Sequence, residues 1–291
     1  LYPLGLEVLT GERISVGAPF FNLTFAPLFV PLLLALPFGP LLAWKRGDLV
    51  GAAQRLYAAG IVALVSIAVL WAWVHGGSAF APLAIGLALF VILGALTDIA
   101  ERSMLFRMPL AIALRRARGL PRASWGTMFA HVGVGVALIG IVCETTWNTE
   151  LISTLKPGDV AKVAGYELKL DNISQRQGPN FGEMLAHFTV SEDGKVIGVM
   201  TPSKRSFSTR GMSTTEAALM SRGVSQLYIS LGDTAASGAI AVRIYHKPMV
   251  LLIWFGPLLM AFGGLLSLSD RRLRIGAPKP AKASRSLQPA E

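Results

Sequence analysis

The chain has 291 residues, of which 53% are hydrophobic and 15% charged, and its mean hydropathy is +0.54. A soluble globular chain carries about 25% charge, so this balance excludes an ordinary soluble domain. The net charge of +10, from 27 Lys+Arg against 17 Asp+Glu, would suggest nucleic acid in a soluble protein; here the basic residues flank apolar blocks, which points to membrane topology instead. One cysteine, Cys143, excludes an internal disulfide, and no CxxC or CxxCH is present.

Residues 1–23 begin at Leu1 and lack the basic start and short apolar core of a signal peptide. They read as the opening of a C-terminal piece of a longer protein, or of one half of a split protein. The prolines and glycines of Ser15-Val-Gly-Ala-Pro-Phe-Phe predict a turn or re-entrant entry. Five apolar blocks follow, each near the length that crosses a bilayer: about 24–44, 56–74, 80–96, 125–143 and 250–268. The first carries Pro27, Pro31, Pro37 and Pro40, which predicts a kink.

The loops orient these blocks. Lys45, Arg46 and Arg55 lie between the first two, and residues 75–81 carry no Lys or Arg. Arg102, Arg107, Arg115, Arg116, Arg118 and Arg122 lie in loop 97–124, and six more basic residues follow position 269. Basic short loops stay in the cytoplasm, and alternation puts all three basic segments on one side. The start of the chain is therefore expected outside and its end inside.

Residues 144–248 are polar and Gly-rich, with short alternating runs at Val160–Val163, Tyr166–Leu170, His187–Val190, Lys195–Met200, Leu227–Leu231 and Ala241–Tyr245. Pro157-Gly158, Asp193-Gly194 and Gly232-Asp233 read as turns between them. Six short strands predict a small antiparallel barrel or sandwich. The expected class is a polytopic α-helical membrane protein with five transmembrane helices and a small all-β extracytoplasmic domain before the last. Its parts are a membrane domain over 1–143, a β domain over 144–248, a fifth helix over 249–269 and a basic disordered tail over 270–291.

His131 is the leading candidate site residue. It lies about two turns inside the fourth block, where an ionisable ring is costly and usually faces protein or a cofactor. A neutral imidazole is also a standard axial ligand of heme iron. Gly135 lies one turn further on the same face, and Gly126, Ala130, Gly133, Ala137 and Gly140 form an adjacent strip of small residues. Such a strip admits another helix or a flat ring. The plainer alternative is an interhelical hydrogen bond from His131, with the strip packing a helix.

His75, beside Trp71 and Trp73, reads as part of an interfacial aromatic belt. His187 and His246 read as ordinary surface or interface residues, His246 lying close to the outer membrane surface. Lys204, Arg205 and Arg210 cluster near Phe207 and have the chemistry to meet heme propionates or an acidic partner; a solvated loop is the alternative. Asp270-Arg271-Arg272 reads as an anchor at the membrane edge. Ser-His-Asp arrangements, a P-loop and zinc spacings are absent from the sequence, so nothing indicates hydrolysis or nucleotide use.

The stretches Ser15-Val-Gly-Ala-Pro-Phe-Phe, Ala130-His-Val-Gly, Gln177-Gly-Pro-Asn, Pro202-Ser-Lys-Arg, Thr215-Glu-Ala, Leu227-Tyr-Ile-Ser-Leu-Gly, Val242-Arg-Ile-Tyr-His-Lys-Pro and Asp270-Arg-Arg together resemble the C-terminal half of the CcmF/NrfE/CycK family. Family members usually have Glu where Ser203 stands, Asp at Gln226 and Trp at Ile240. The resemblance implies a subunit of the heme lyase of cytochrome c maturation, in the bacterial inner membrane. It implies a b-type heme with His131 as one axial ligand. The second axial histidine, and a tryptophan-rich WWD segment with its heme-binding histidines, would come from an N-terminal half. Implied partners are that half, a periplasmic heme chaperone, and apocytochrome c with its thiol-reducing or chaperone subunits. This piece alone is not expected to be active. A heme or small-molecule transporter subunit and a non-catalytic scaffold are the rival readings.

Overall fold

The computed structural model describes residues 7–11, 17–42, 47–73, 78–207, 212–235 and 238–270. His75, Arg210, Lys45, Arg46 and the basic residues after 270 lie outside them, as do Ser15 and Val16 of the Ser15 motif.

Helix α1 (Ala18–Ala35) contains Pro27 and Pro31 and passes into a 3-10 turn (Leu36–Leu41) that holds Pro37 and Pro40. Proline removes a helical N–H and clashes with the preceding turn, so the expected kink takes the form of a tightened helix. Helix α2 (Leu49–Trp73) starts seven residues ahead of its apolar block. The reason is a cap: the Asp48 carboxylate accepts the Gly51 N–H at 2.9 Å. Helix α3 (Ala81–Ser103) runs on past Asp98 and stops at Met104, which adopts a left-handed φ of 57°. Loop 97–124 is not wholly irregular: it holds the last turns of α3 and a short amphipathic helix α4 (Leu110–Arg118). Helix α5 spans Arg122–Trp147 and helix α6 Leu252–Leu268.

Among the described residues, four helical stretches are long and apolar enough to cross a membrane: Leu23–Leu41, Leu49–Trp73, Ala81–Ser103 and Arg122–Trp147. Helix α6 is apolar but has 17 residues, about 26 Å against a hydrocarbon core of about 30 Å. Helices α5 and α6 meet backbone to backbone. A Cβ at Gly126 would lie 2.5 Å from the Gly263 carbonyl oxygen, and one at Gly133 would lie 2.6 Å from that of Gly256. Phe129 and Phe262 close the contact edge to face, with centroids 5.2 Å apart.

Between α5 and α6 the described residues build ten antiparallel strands. One sheet has the order β1 (Thr149–Leu155), β10 (Ile240–Lys247), β9 (Ser225–Thr234), β8 (Ala218–Arg222). The other runs β2 (Val160–Val163), β3 (Tyr166–Gln177), β4 (Phe181–Glu192), β6 (Ser203–Phe207), β7 (Met212–Glu216), with β5 (Lys195–Met200) also on β4. The two sheets face each other, which decides for a sandwich over a closed barrel. Leu168, Leu170, Phe188 and Val190 of one sheet and Leu227, Ile229, Ile240, Val242 and Ile244 of the other form its buried core. They alternate along the strands, as one buried face requires. Each fully buried side chain of this size contributes about 1.5–3 kcal/mol.

Asp193 and Gly194 both have positive φ (49° and 75°), the two-residue turn that matches strand twist, and Glu192 pairs with Lys195 across it. Gly232-Asp233, by contrast, is not a turn. Both residues lie within β9, where Gly232 lets the backbone pass close to Ala241 of β10.

Candidate functional site

His131 stands on α5 on the same face as Ser124 and Thr127, and these three residues line a cleft of about 680 Å³. The opposite wall comes from α1 and the 3-10 turn, through Leu32, Leu36 and Pro40. Asp98 and Arg102 of α3 close a third side. The Arg102 Nε donates to both Asp98 carboxylate oxygens, at 2.8 and 2.9 Å, and its Nη2 donates to the Pro40 carbonyl at 3.3 Å. Asp98 is only 4% exposed. This ion pair therefore ties the proline-rich turn to α3 and fixes the cleft's width at that end.

Of the two partners open to the small-residue strip, a helix or a flat ring, the glycines meet the helix. The strip at 126, 133 and 140 packs on α6, and a Cβ at Gly135 would lie 2.4 Å from Ile92 Cγ1 and 2.8 Å from the Ala88 carbonyl of α3. Small residues hold α5 between two helices; the room beside His131 comes from the stand-off of α1 and its 3-10 turn. His131 Nδ1 is buried and has no hydrogen-bond partner among the described residues, while Thr127 Oγ1 is taken up by the Ala123 carbonyl at 3.0 Å.

An imidazole nitrogen left bare in an apolar helix costs about 1–3 kcal/mol unless something binds there. Among the described residues no group of three or more His, Cys, Asp or Glu is placed to hold a metal ion. A single protein donor suits a metal that brings its own equatorial ligands, as heme iron does, and leaves a bare ion under-coordinated.

The N-terminus of α5 is capped from outside the helix. Asp270, just past α6 and 6% exposed, accepts the Ala123 N–H at 3.1 Å. The sequence reading gave Asp270 only an anchoring role. Its cap fixes α5, and so His131, against α6.

In the β domain, Pro202-Ser-Lys-Arg gathers round Glu183. That carboxylate is 4% exposed. It accepts from Ser203 Oγ at 2.7 Å, Arg205 Nε at 2.8 Å, and Arg176 Nε and Nη2 at 3.0 and 2.6 Å. The Ser203 hydroxyl first, then the two guanidiniums, outweigh burial and hold its pKa at about 2. Ser203, the departure from the family pattern, is thus a direct partner of a buried carboxylate. Lys204 pairs with Asp233 at 2.5 Å, and Arg205 lies 4.8 Å over the Phe181 ring. The cations at 204 and 205 are thus compensated by Asp233, Glu183 and Glu216, while Arg210 lies outside the described residues.

His187 Nε2 is 3.1 Å from Ser174 Oγ, and the His246 ring lies 5.9 Å from that of Tyr166, where burial lowers its pKa. Neither histidine faces the His131 cleft. Glu183, Arg176, Asp98 and Arg102 were missed as a set, because each acquires its meaning from a partner on another turn or strand.

The molecule these parts define is a multi-pass helical membrane protein with a β-sandwich between its last two apolar helices. A family described as "CcmF C-terminal beta-sandwich" matches residues 146–248. The cytochrome c-type biogenesis protein CycK of Bradyrhizobium diazoefficiens is 71% identical over 291 residues, 100% of this chain and 44% of that protein. CycK of Rhizobium meliloti is 52% identical over 287 residues, 99% of this chain and 42% of that protein. A solved structure titled "Cytochrome c Heme Lyase CcmF" superposes with a TM-score of 0.70 at 22% identity, over 92% of this chain and 42% of that one, which speaks for the fold. The chain belongs to the CcmF/CycK family and corresponds to the C-terminal part of its members. It spans less than half the length of these relatives.

Proposed function

We propose that the chain is the C-terminal part of a cytochrome c heme lyase subunit, and that His131 holds a b-type heme within the membrane. The observation that carries the reading is the His131 ring on the wall of the cleft, inside an apolar helix, with a ring nitrogen that has no hydrogen-bond partner among the described residues. His131 would hold the heme iron through its imidazole. The 3-10 turn and α1 would exclude water, and the Asp98–Arg102 pair would keep the walls in place. When bound, heme supplies one-electron chemistry whose potential depends on axial ligation and burial. Thioether formation on apocytochrome c needs reduced heme and thiols, and an electron donor in the membrane meets that need.

The protein would sit in the bacterial inner membrane, with the β-sandwich periplasmic and the arginines between α3 and α5 cytoplasmic. The charge bias of the loops supports this orientation. The remaining half of the family architecture would supply the second axial imidazole and the WWD segment. The sandwich would position the periplasmic heme chaperone or the apocytochrome. Production with that half, followed by absorption spectra of wild type and His131→Ala, tests the reading. Loss of the b-type Soret and α bands in the variant is expected; an unchanged spectrum would remove His131 from the site.

A further inference from the structure

A second cavity, of about 530 Å³, lies on the other side of α3, lined by α2, α3, α4 and α5. Its walls are apolar: Val62, Leu93, Leu96, Ile99, Leu114 and Trp125 are among the lining residues. Size and lining are those of a small-molecule or lipid site. Several of these side chains are open at the rim, Val62 at 48%, Leu96 at 45% and Leu114 at 48% exposed, so the cavity is not sealed by the fold.

Its cover is α4 and the turn before it. Ala113 and Ala117 of α4 face inward, and Trp125 Nε1 donates to the Ala117 carbonyl at 3.1 Å. The preceding turn carries two non-glycine residues at positive φ, Met104 and Phe106, and it presents Phe106 at 91% exposure. Leu110 is 63% exposed. The last turn of α4 carries Arg115, Arg116 and Arg118, all exposed. The Arg116 guanidinium rests on the sulfurs of Met104 and Met108, in the turn that leads into α4. Among the described residues none of these three arginines has a carboxylate partner, although Arg102 and Arg107 nearby are paired to Asp98 and Glu101.

An apolar chamber beneath an exposed aromatic and three uncompensated guanidiniums matches a molecule with a long apolar tail and an anionic head. We propose that this cavity binds one anionic phospholipid, its acyl chain between α2, α3 and α5 and its phosphate on the arginines of α4. An amphipathic helix rich in arginine lies naturally at the membrane surface, and a guanidinium fork suits a phosphate. The inference rests on the membrane reading of the chain and is independent of heme at His131.

The test is native mass spectrometry of the purified protein released from nanodiscs of equal phosphatidylglycerol and phosphatidylcholine. Wild type is expected to retain one phosphatidylglycerol. R115Q/R116Q/R118Q is expected to lower that retention by at least about fivefold. Ala58→Trp, which fills the lining without altering charge, is expected to lower it as well, with circular dichroism unchanged. If the arginine variant fails to fold, Ala58→Trp decides alone. Equal retention of phosphatidylcholine or another uncharged lipid, wild-type retention in a folded variant, or displacement by inorganic phosphate would overturn the proposal.

Discussion

Glu183 gathers four donor contacts onto one carboxylate in the buried part of a sandwich sheet. Its carboxyl titrates at about 2 in the folded protein against an ordinary 4.5. The contribution is therefore complete above about pH 4.5 and fades as pH falls toward 2. Thermal melts of the whole chain in detergent across this window should show a drop in Tm for wild type. Glu183→Gln should be less stable at pH 7 and show a shallower acid dependence; parallel curves would contradict the role given to this carboxylate. Asp270→Ala removes the cap on Ala123 and should cost about 1 kcal/mol, read as faster amide exchange in the first turn of α5. His131 stood out in the sequence because an ionisable ring within an apolar run needs a reason. Asp270, Asp98 and Glu183 did not, since each is explained by a partner between 4 and 147 positions away.

Helices α5 and α6 owe their contact to absent side chains. A Cβ at Gly256 would lie 2.5 Å from Ala137 Cβ and 2.6 Å from the Gly133 carbonyl oxygen. Gly256→Leu must push the helices apart, at a cost of about 1–3 kcal/mol or more. Unfolding in mixed micelles of rising SDS content should show it, with Gly264→Leu, where a Cβ meets nothing within 4 Å, near wild type. The apolar blocks were readable as helices because hydropathy alone marks them. Their ends were less so: Asp48 caps α2 early, and α3 continues through Asp98 because Arg102 neutralises it one turn on. Strands β1, β6, β7 and β8 were missed for a related reason. Ser203–Phe207, Met212–Glu216 and Ala218–Arg222 carry no alternating apolar pattern. They are strands because each has a ladder partner: β4 for β6, β6 for β7 and β9 for β8, as β10 is for β1.

The molecule as a whole divides its work by solvent. Helices α1, α2 and α6 turn large apolar side chains outward, among them Phe25, Leu64, Trp254 and Leu258, which suits a bilayer or further helices. The sandwich buries its own core and pairs many of its charges, Glu183 with Arg176 and Arg205 among them. The cleft at His131 lies between these outward faces, with its proline-rich wall held by one ion pair. Arg102→Gln should leave iron ligation intact while loosening that wall, so a broader Soret band at an unchanged maximum is expected.

The sharpest measurement is resonance Raman spectroscopy of the reassembled protein carrying His131→Gly, with and without imidazole in the buffer. The account predicts loss of the six-coordinate low-spin signature on substitution and its return when imidazole fills the vacated space. A six-coordinate low-spin spectrum in His131→Gly without added imidazole would contradict it.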